Sequence, residues 1–116
     1  MPGVPELSPT EFVARWPNYA GAEDVVLLDV REHDELAIAA VQGALHIPMR
    51  EIPARLAELD SAKPLVVMCH SGGRSRRVAE FLKGNGFPNV FNLMGGIDAW
   101  SAQIDSRIPR YYPSPQ

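Results

Sequence analysis

Apolar residues follow two rhythms along this chain. In the first they run without interruption. Val25-Val26-Leu27-Leu28-Asp29-Val30 is continuous and β-branched, which predicts a strand covered on both faces. Leu65-Val66-Val67-Met68-Cys69 and Val90-Phe91-Asn92-Leu93 read the same way, and Ala44-Leu45-His46-Ile47-Pro48 predicts a short strand stopped by proline. In the second rhythm the apolar positions recur at helical spacing. Ser8-Pro9-Thr10-Glu11 opens a helix, with Ser8 as cap, Pro9 at the first helical position and Glu11 where a capping-box carboxylate belongs. Phe12, Val13 and Trp16 form its apolar face, and Pro17 ends it. A short helix is expected between Arg31 and Ala40, beginning at Glu32 or Asp34. Another is expected from Pro53 to Leu59, with Leu56 and Leu59 on one face. Ser75 to Lys83 predicts a helix ended by the left-handed stop Gly84-Asn85-Gly86. Gly95-Gly96 turns into a last helix carrying Ile97 and Trp100.

Strands alternating with amphipathic helices predict an α/β fold around a mostly parallel sheet, with ligands beyond the carboxyl ends of the strands. The 116 residues read as one domain, with residues 1–7 as an N-terminal extension and residues 107–116 as an irregular tail carrying three prolines and two tyrosines. Hydrophobic residues make up 46% and charged residues 22%, ordinary for a globular chain with a real core. The formal charge of −3 provides no global field for nucleic acid or an acidic membrane, so neither is expected as a partner and any anion site must be local. No apolar run is long enough to span a bilayer. Met1-Pro2-Gly3-Val4-Pro5 lacks the basic and then apolar order of a secretory signal. One cysteine cannot make an internal disulfide. The expectation is a cytoplasmic protein.

That cysteine, Cys69, ends the Leu65 strand and is followed by His70-Ser71-Gly72-Gly73-Arg74-Ser75 and a helix. Helix N-termini and nearby cations favour a thiolate over a thiol. The amides from His70 to Ser75 can form a cradle of partial positive charge, the helix adds its dipole, and Arg74 supplies forked donors. Gly72 and Gly73 let the backbone approach a ligand closely. Cys69 in this setting is a nucleophile, and the same amides can hold a persulfide anion formed on it. Free cysteine is also among the most buried residue types and often packs as a small hydrophobe; the Gly-Gly-Arg-Ser continuation favours the reactive reading. His70 reads equally as a base, a substrate contact or a loop histidine facing solvent. Arg76 and Arg77 read as a solvated helix face. His33 and His46 lack metal-ligand spacing with each other or with Cys69, so no metal is assigned.

These residues resemble the single-domain rhodanese family of thiosulfate-type sulfurtransferases. Leu28-Asp29-Val30-Arg31-Glu32 resembles the family's first box, and Gly43-Ala44-Leu45-His46-Ile47-Pro48 its turn-and-strand box. Cys69 to Ser75 resembles the active-site loop, and Leu93-Met94-Gly95-Gly96-Ile97-Asp98-Ala99-Trp100 the C-terminal box. Four boxes in the right order are a far stronger signal than any one. Two positions depart from the pattern: Ala39-Ala40-Val41 stands where members often carry Gly-His-Ile, and Met68 stands where many have an aromatic.

The resemblance implies a three-layer sandwich, a mostly parallel central sheet with helices on both faces. It implies Cys69 as the catalytic residue and the loop His70, Ser71, Gly72, Gly73, Arg74 and Ser75 as the substrate-binding cradle. Arg31 would sit near the mouth and bind substrate, and Asp29 would tether the loop. Gly95, Gly96 and Trp100 read as fold residues. The implied partners are a small anionic sulfur donor such as thiosulfate and a cyanide or thiol acceptor, or a protein that delivers or takes sulfur. No metal or organic cofactor is implied, only the covalent persulfide. A cysteine phosphatase or arsenate reductase needs five residues between cysteine and arginine, and here four separate Cys69 from Arg74. A sulfur carrier or regulatory module on the same fold is the other reading.

Overall fold

The computed structural model describes residues 3–21 and 23–111; the rest of the Pro/Tyr tail lies outside the described residues. Among these, five strands form one parallel sheet: β1 (Glu6–Leu7), β2 (Val26–Asp29), β3 (Leu45–His46), β4 (Leu65–Met68) and β5 (Val90–Leu93). Their order across the sheet is β1-β5-β4-β2-β3. Four α-helices accompany them: α1 (Pro9–Arg15), α2 (His33–Ile38), α3 (Gly73–Lys83) and α4 (Gly96–Gln103).

The period of two along each strand divides the core. Leu28, Val30, Leu65, Val67 and Cys69 face Val78, Ala79 and Leu82 of α3. Leu27, Val66, Met68 and Phe91 face Phe12 of α1 and Ile97 and Trp100 of α4. This is the expected α/β arrangement, a sheet with helices on both faces. It explains why the strands read as unbroken apolar runs: both faces are covered. Each fully buried Leu, Val or Phe contributes roughly 1.5–3 kcal/mol. Phe12, Tyr19 and Trp100 add tilted and edge-on ring contacts at centroid distances of 5.2 to 5.8 Å. The α1 capping box forms as expected, with Ser8 Oγ accepting from the Glu11 amide at 3.1 Å and Glu11 Oε1 from the Ser8 amide at 2.8 Å.

Several expected boundaries move. Residues 6 and 7, within the expected extension, are an edge strand paired with Asn92 and Leu93; two residues are too few to show a period. Pro53–Glu58 is 3-10 helix, interrupted at Arg55, instead of one regular helix. Helix α3 begins at Gly73, two residues before the expected Ser75, because Gly72 turns the chain at φ +113°. Its left-handed stop is Gly86 (φ +94°), while Gly84 keeps a right-handed conformation. No helix among the described residues is long and apolar enough to cross a membrane.

A parallel sheet collects the carboxyl ends of all its strands on one edge. Here that edge carries Arg31 after β2, the Cys69 loop after β4 and Gly95-Gly96 after β5.

Candidate active site

Cys69 is 1% exposed at the base of its loop, while Ser71 and Gly73 at the loop tip are open to solvent. Its Sγ accepts a hydrogen bond from the Gly72 amide at 3.1 Å, with Ser75 Oγ at 3.3 Å. The inward turn of that amide depends on the positive φ of Gly72, a conformation side chains disfavour. The loop is held from below by α4. The Ile97 amide donates to the Cys69 carbonyl at 2.9 Å and the Asp98 amide to the His70 carbonyl at 3.1 Å. Loop carbonyls therefore point toward the start of α4, and the Gly72 amide is left for the sulfur. The approach requires Gly96: a Cβ there would stand 2.4 Å from the Cys69 carbonyl oxygen.

Asn92, fully buried on β5, ties together the two groups that touch the sulfur. Its Nδ2 donates to the Gly72 carbonyl at 3.2 Å and to Glu6 Oε2 at 2.8 Å. Its Oδ1 accepts from Ser75 Oγ at 2.6 Å. Glu6 is held in turn by Arg76 at 2.7 Å, so that part of the expected solvated face is an ion pair.

Beside the loop lies a second network that engages Arg74 and Arg31. Arg74 grips Glu35 with both terminal nitrogens, at 2.6 and 2.9 Å. With both terminal nitrogens engaged, it braces α2 against α3. Arg31, expected as a substrate contact near the mouth, is wholly buried. Its guanidinium bonds to Asp29 (2.7–3.2 Å), the Glu35 and Ala39 carbonyls, and the Tyr111 hydroxyl. Every nitrogen is used on the protein. Asp29 also accepts from the Arg31 amide at 3.0 Å.

Burial pushes the Glu35 carboxyl up. The hydrogen bonds from Arg74, the Glu32 backbone and Tyr111, with the charge of Arg74, outweigh burial and hold it at about 2. The hydrogen bond to Glu35 raises Arg74. Burial, aided by Glu35, raises the Tyr111 phenol to about 12 against the opposing pull of Arg31. Glu35 and Arg74 thus form an ion pair beside a neutral Tyr111, and Arg31 pairs with Asp29 at 2.7 Å in the same cluster.

His70 does not face solvent. It is 7% exposed, with Nε2 donating to the Tyr111 carbonyl at 2.6 Å and Nδ1 buried without a partner. His33 and His46, far apart in sequence, meet edge to face with centroids 4.8 Å apart, and His46 Nε2 donates to the Arg31 carbonyl at 2.6 Å. Among the described residues no group of three or more His, Cys, Asp or Glu could hold a metal.

The model of the rhodanese-like domain matches residues 17–103, which include every element of this site from Asp29 to Trp100. The chain belongs to the rhodanese-like family. It is 40% identical over 82 residues to a protein of Allochromatium vinosum named sulfurtransferase, covering 71% of this chain and 77% of that one. It is 35% identical over 79 residues to the thiosulfate sulfurtransferase GlpE of Coxiella burnetii, covering 68% and 74%. A rhodanese-like domain protein of Staphylococcus aureus superposes with a TM-score of 0.76 at 27% identity, covering 94% of this chain and all of that one. Other relatives are longer. The chain spans 31% of a rhodanese-like/PpiC domain-containing protein of Arabidopsis thaliana and 54% of the putative sulfur carrier protein YrkF of Bacillus subtilis.

Within this rhodanese-like domain the two departures find structural places. Ala39 supplies the carbonyl that accepts from Arg31 at 2.9 Å, and Met68 is a core residue packed on the α4 side of the sheet. Three site residues carry no box signal: Glu35, Asn92 and Tyr111. An Asn inside an apolar strand is a signal that could have found Asn92, because a buried amide must be bonded. Glu35 stands three residues after Glu32, a capping-box spacing that the structure realises at 3.1 Å. Tyr111 lies 76 residues from Glu35, and nothing local marks it.

Proposed function

We propose that this protein is a sulfurtransferase that carries sulfane sulfur on Cys69, with thiosulfate or a similar small anion as donor. The Cys69 thiolate attacks the outer sulfur of thiosulfate. The S–S bond breaks, sulfite leaves with the electron pair, and a Cys69 persulfide anion remains. Cyanide or a thiolate then attacks the outer sulfur and regenerates the thiolate, giving thiocyanate or a new persulfide. The Gly72 amide and Ser75 hydroxyl serve the negative sulfur in both halves of the cycle. The chain's one cysteine leaves no internal thiol to release the sulfur, so the acceptor must come from outside. A free nucleophilic thiol needs reducing surroundings, and on that ground we assign the protein to the cytoplasm.

The observation that carries this reading is the division of labour around the loop. The sulfur has neutral donors, while the arginine that a phosphatase would turn on a tetrahedral oxyanion is committed to Glu35. Thiosulfate:cyanide turnover, beside intact-mass analysis after thiosulfate, tests it. The wild type should turn over and gain the mass of one sulfur. Cys69→Ser should do neither while keeping its fold, because it removes the polarisable nucleophile and little volume. A wild type that loads sulfur without turnover would make the protein a carrier. Failure to load from thiosulfate would refute the small-donor cycle.

A further inference from the structure

The tail after α4 crosses the site and lies outside the matched span 17–103. It is fastened along its course. Ser101 Oγ donates to the Ile108 carbonyl at 2.6 Å, and Arg110 holds Asp98 with two bonds at 2.8 and 2.9 Å. Tyr111 then reaches from one side of the loop to the other. Its carbonyl accepts from His70, the residue after the nucleophile, and its ring packs on that imidazole at 4.4 Å. Its hydroxyl donates to Glu35 and accepts from Arg31, both at 2.9 Å. The strap therefore spans the carboxyl ends of β4 and β2, where a ligand must enter. Beside the strap lies a cleft of about 290 Å³ lined by His70, Asp98, Arg110 and Tyr111. That is the lower end of the roughly 300–1,000 Å³ usual for small-molecule sites.

We propose that this strap sets donor size. With Tyr111 docked, a small inorganic anion reaches Cys69, and a persulfide carried on a protein thiol does not. The proposal rests on Cys69 being the sulfur acceptor. From either donor the chemistry is the same: the thiolate attacks the outer sulfur, the S–S bond breaks, and sulfite or the donor thiolate leaves.

Because Cys69 is the only cysteine, its alkylation reads access directly and needs no transfer activity. The wild type, Tyr111→Phe and the double variant Arg110→Ala/Tyr111→Ala are reacted with iodoacetamide and with a polyethylene-glycol maleimide. If the strap is open only a tenth of the time or less, undocking raises the rate of the bulky reagent about tenfold or more. The iodoacetamide rate should change far less, and Tyr111→Phe should fall between. Loading from persulfidated serum albumin should rise in parallel in the double variant, relative to loading from thiosulfate. Equal acceleration of both reagents would mean that the loop has melted, and no acceleration would mean that the tail does not gate; either overturns the proposal. A protein that fails to load from any donor yet shows size-selective alkylation would refute the transfer reading and leave the strap standing.

Discussion

Gly96→Ala is the sharpest test of how this loop is built. Two effects add. Gly96 has φ +58°, a left-handed conformation that costs an L side chain about 1–2 kcal/mol. The new Cβ would also meet the Cys69 carbonyl oxygen at 2.4 Å, the His70 oxygen at 2.5 Å and the His70 carbonyl carbon at 2.6 Å. These are backbone atoms of the Cys69 loop, with no flexible side chain to swing aside. Overpacking of this kind typically costs about 1–3 kcal/mol. The expected loss is therefore about 2–5 kcal/mol, a large share of the roughly 5–15 kcal/mol that holds a domain folded. With a urea slope of about 2 kcal/mol/M, the midpoint should fall by roughly 1–2.5 M.

The same clash predicts a functional loss. Ordinary contact begins at 3.4 Å, so relief at the Cys69 oxygen moves the loop by about 1 Å and breaks the Ile97 and Asp98 amide bonds that aim it. A misplacement of that size can cost on the order of 100-fold in rate. Gly73→Ala is the matched control. No atom lies within 4 Å of its Cβ position and its φ is not positive, so it should stay within about 0.5 kcal/mol of wild type. Urea denaturation and thiosulfate turnover on both variants decide the matter. If Gly96→Ala matches Gly73→Ala in both, α4 does not set the loop and the geometric argument is wrong.

Three further outcomes follow from the buried networks. Asn92→Leu leaves Ser75 and the Gly72 carbonyl without their partner, at about 1–3 kcal/mol for each unsatisfied group; denaturation and turnover should both fall. Glu35→Gln removes the charge from the buried Arg74 pair, and breaking such a pair costs up to about 3–5 kcal/mol. Glu35 is held at about 2 against an ordinary 4.5, so its stabilisation is complete above pH 4.5 and lost as pH falls toward 2; acid unfolding of the Gln variant should lack that step. Tyr111 shows the opposite sign. Raised to about 12 from 10, its neutral form stabilises the docked tail fully below pH 10, and that contribution is lost as pH rises through 12. Tyrosinate absorbance of Tyr111→Phe, subtracted from that of the wild type, should isolate that late titration.

The strands, the α1 cap, the Cys69 loop and its neighbouring glycines were legible because each is a local pattern. A continuous apolar run, a Ser-Pro-Thr-Glu start and a Gly-Gly turn all state their conformation within a few residues. What the sequence could not show was which polar groups meet across the sheet. Arg74 looked like a free cation because its partner Glu35 stands 39 residues earlier, on a helix of six residues with little periodicity. Arg31 was placed near the mouth by the family resemblance, not by any local pattern. It is buried only because Asp29, Tyr111 and two carbonyls saturate it. The edge strand at Glu6–Leu7 escaped for the same reason: its identity comes from β5, 86 residues away, where Glu6 also meets Asn92.

The compensated cluster bears on the choice of chemistry. A dianionic phosphate held through its transition state needs an uncompensated cation within the loop, because its charge is shared over several oxygens. The sulfur transfer proposed for Cys69 makes a different demand. The nucleophile, the persulfide and the regenerated thiolate each concentrate charge on a single sulfur at the loop centre, where a turned amide and a hydroxyl can reach it. An unpaired arginine in the same place would hold the anionic donor and the released sulfite alike, and so slow the departure of sulfite. Glu35 removes that difficulty by engaging Arg74 while the pair keeps α2, α3 and the loop in register. The four-residue spacing from Cys69 to Arg74 and the ion pair that occupies Arg74 both fit the proposed transfer of a single sulfur atom better than the binding of a tetrahedral oxyanion.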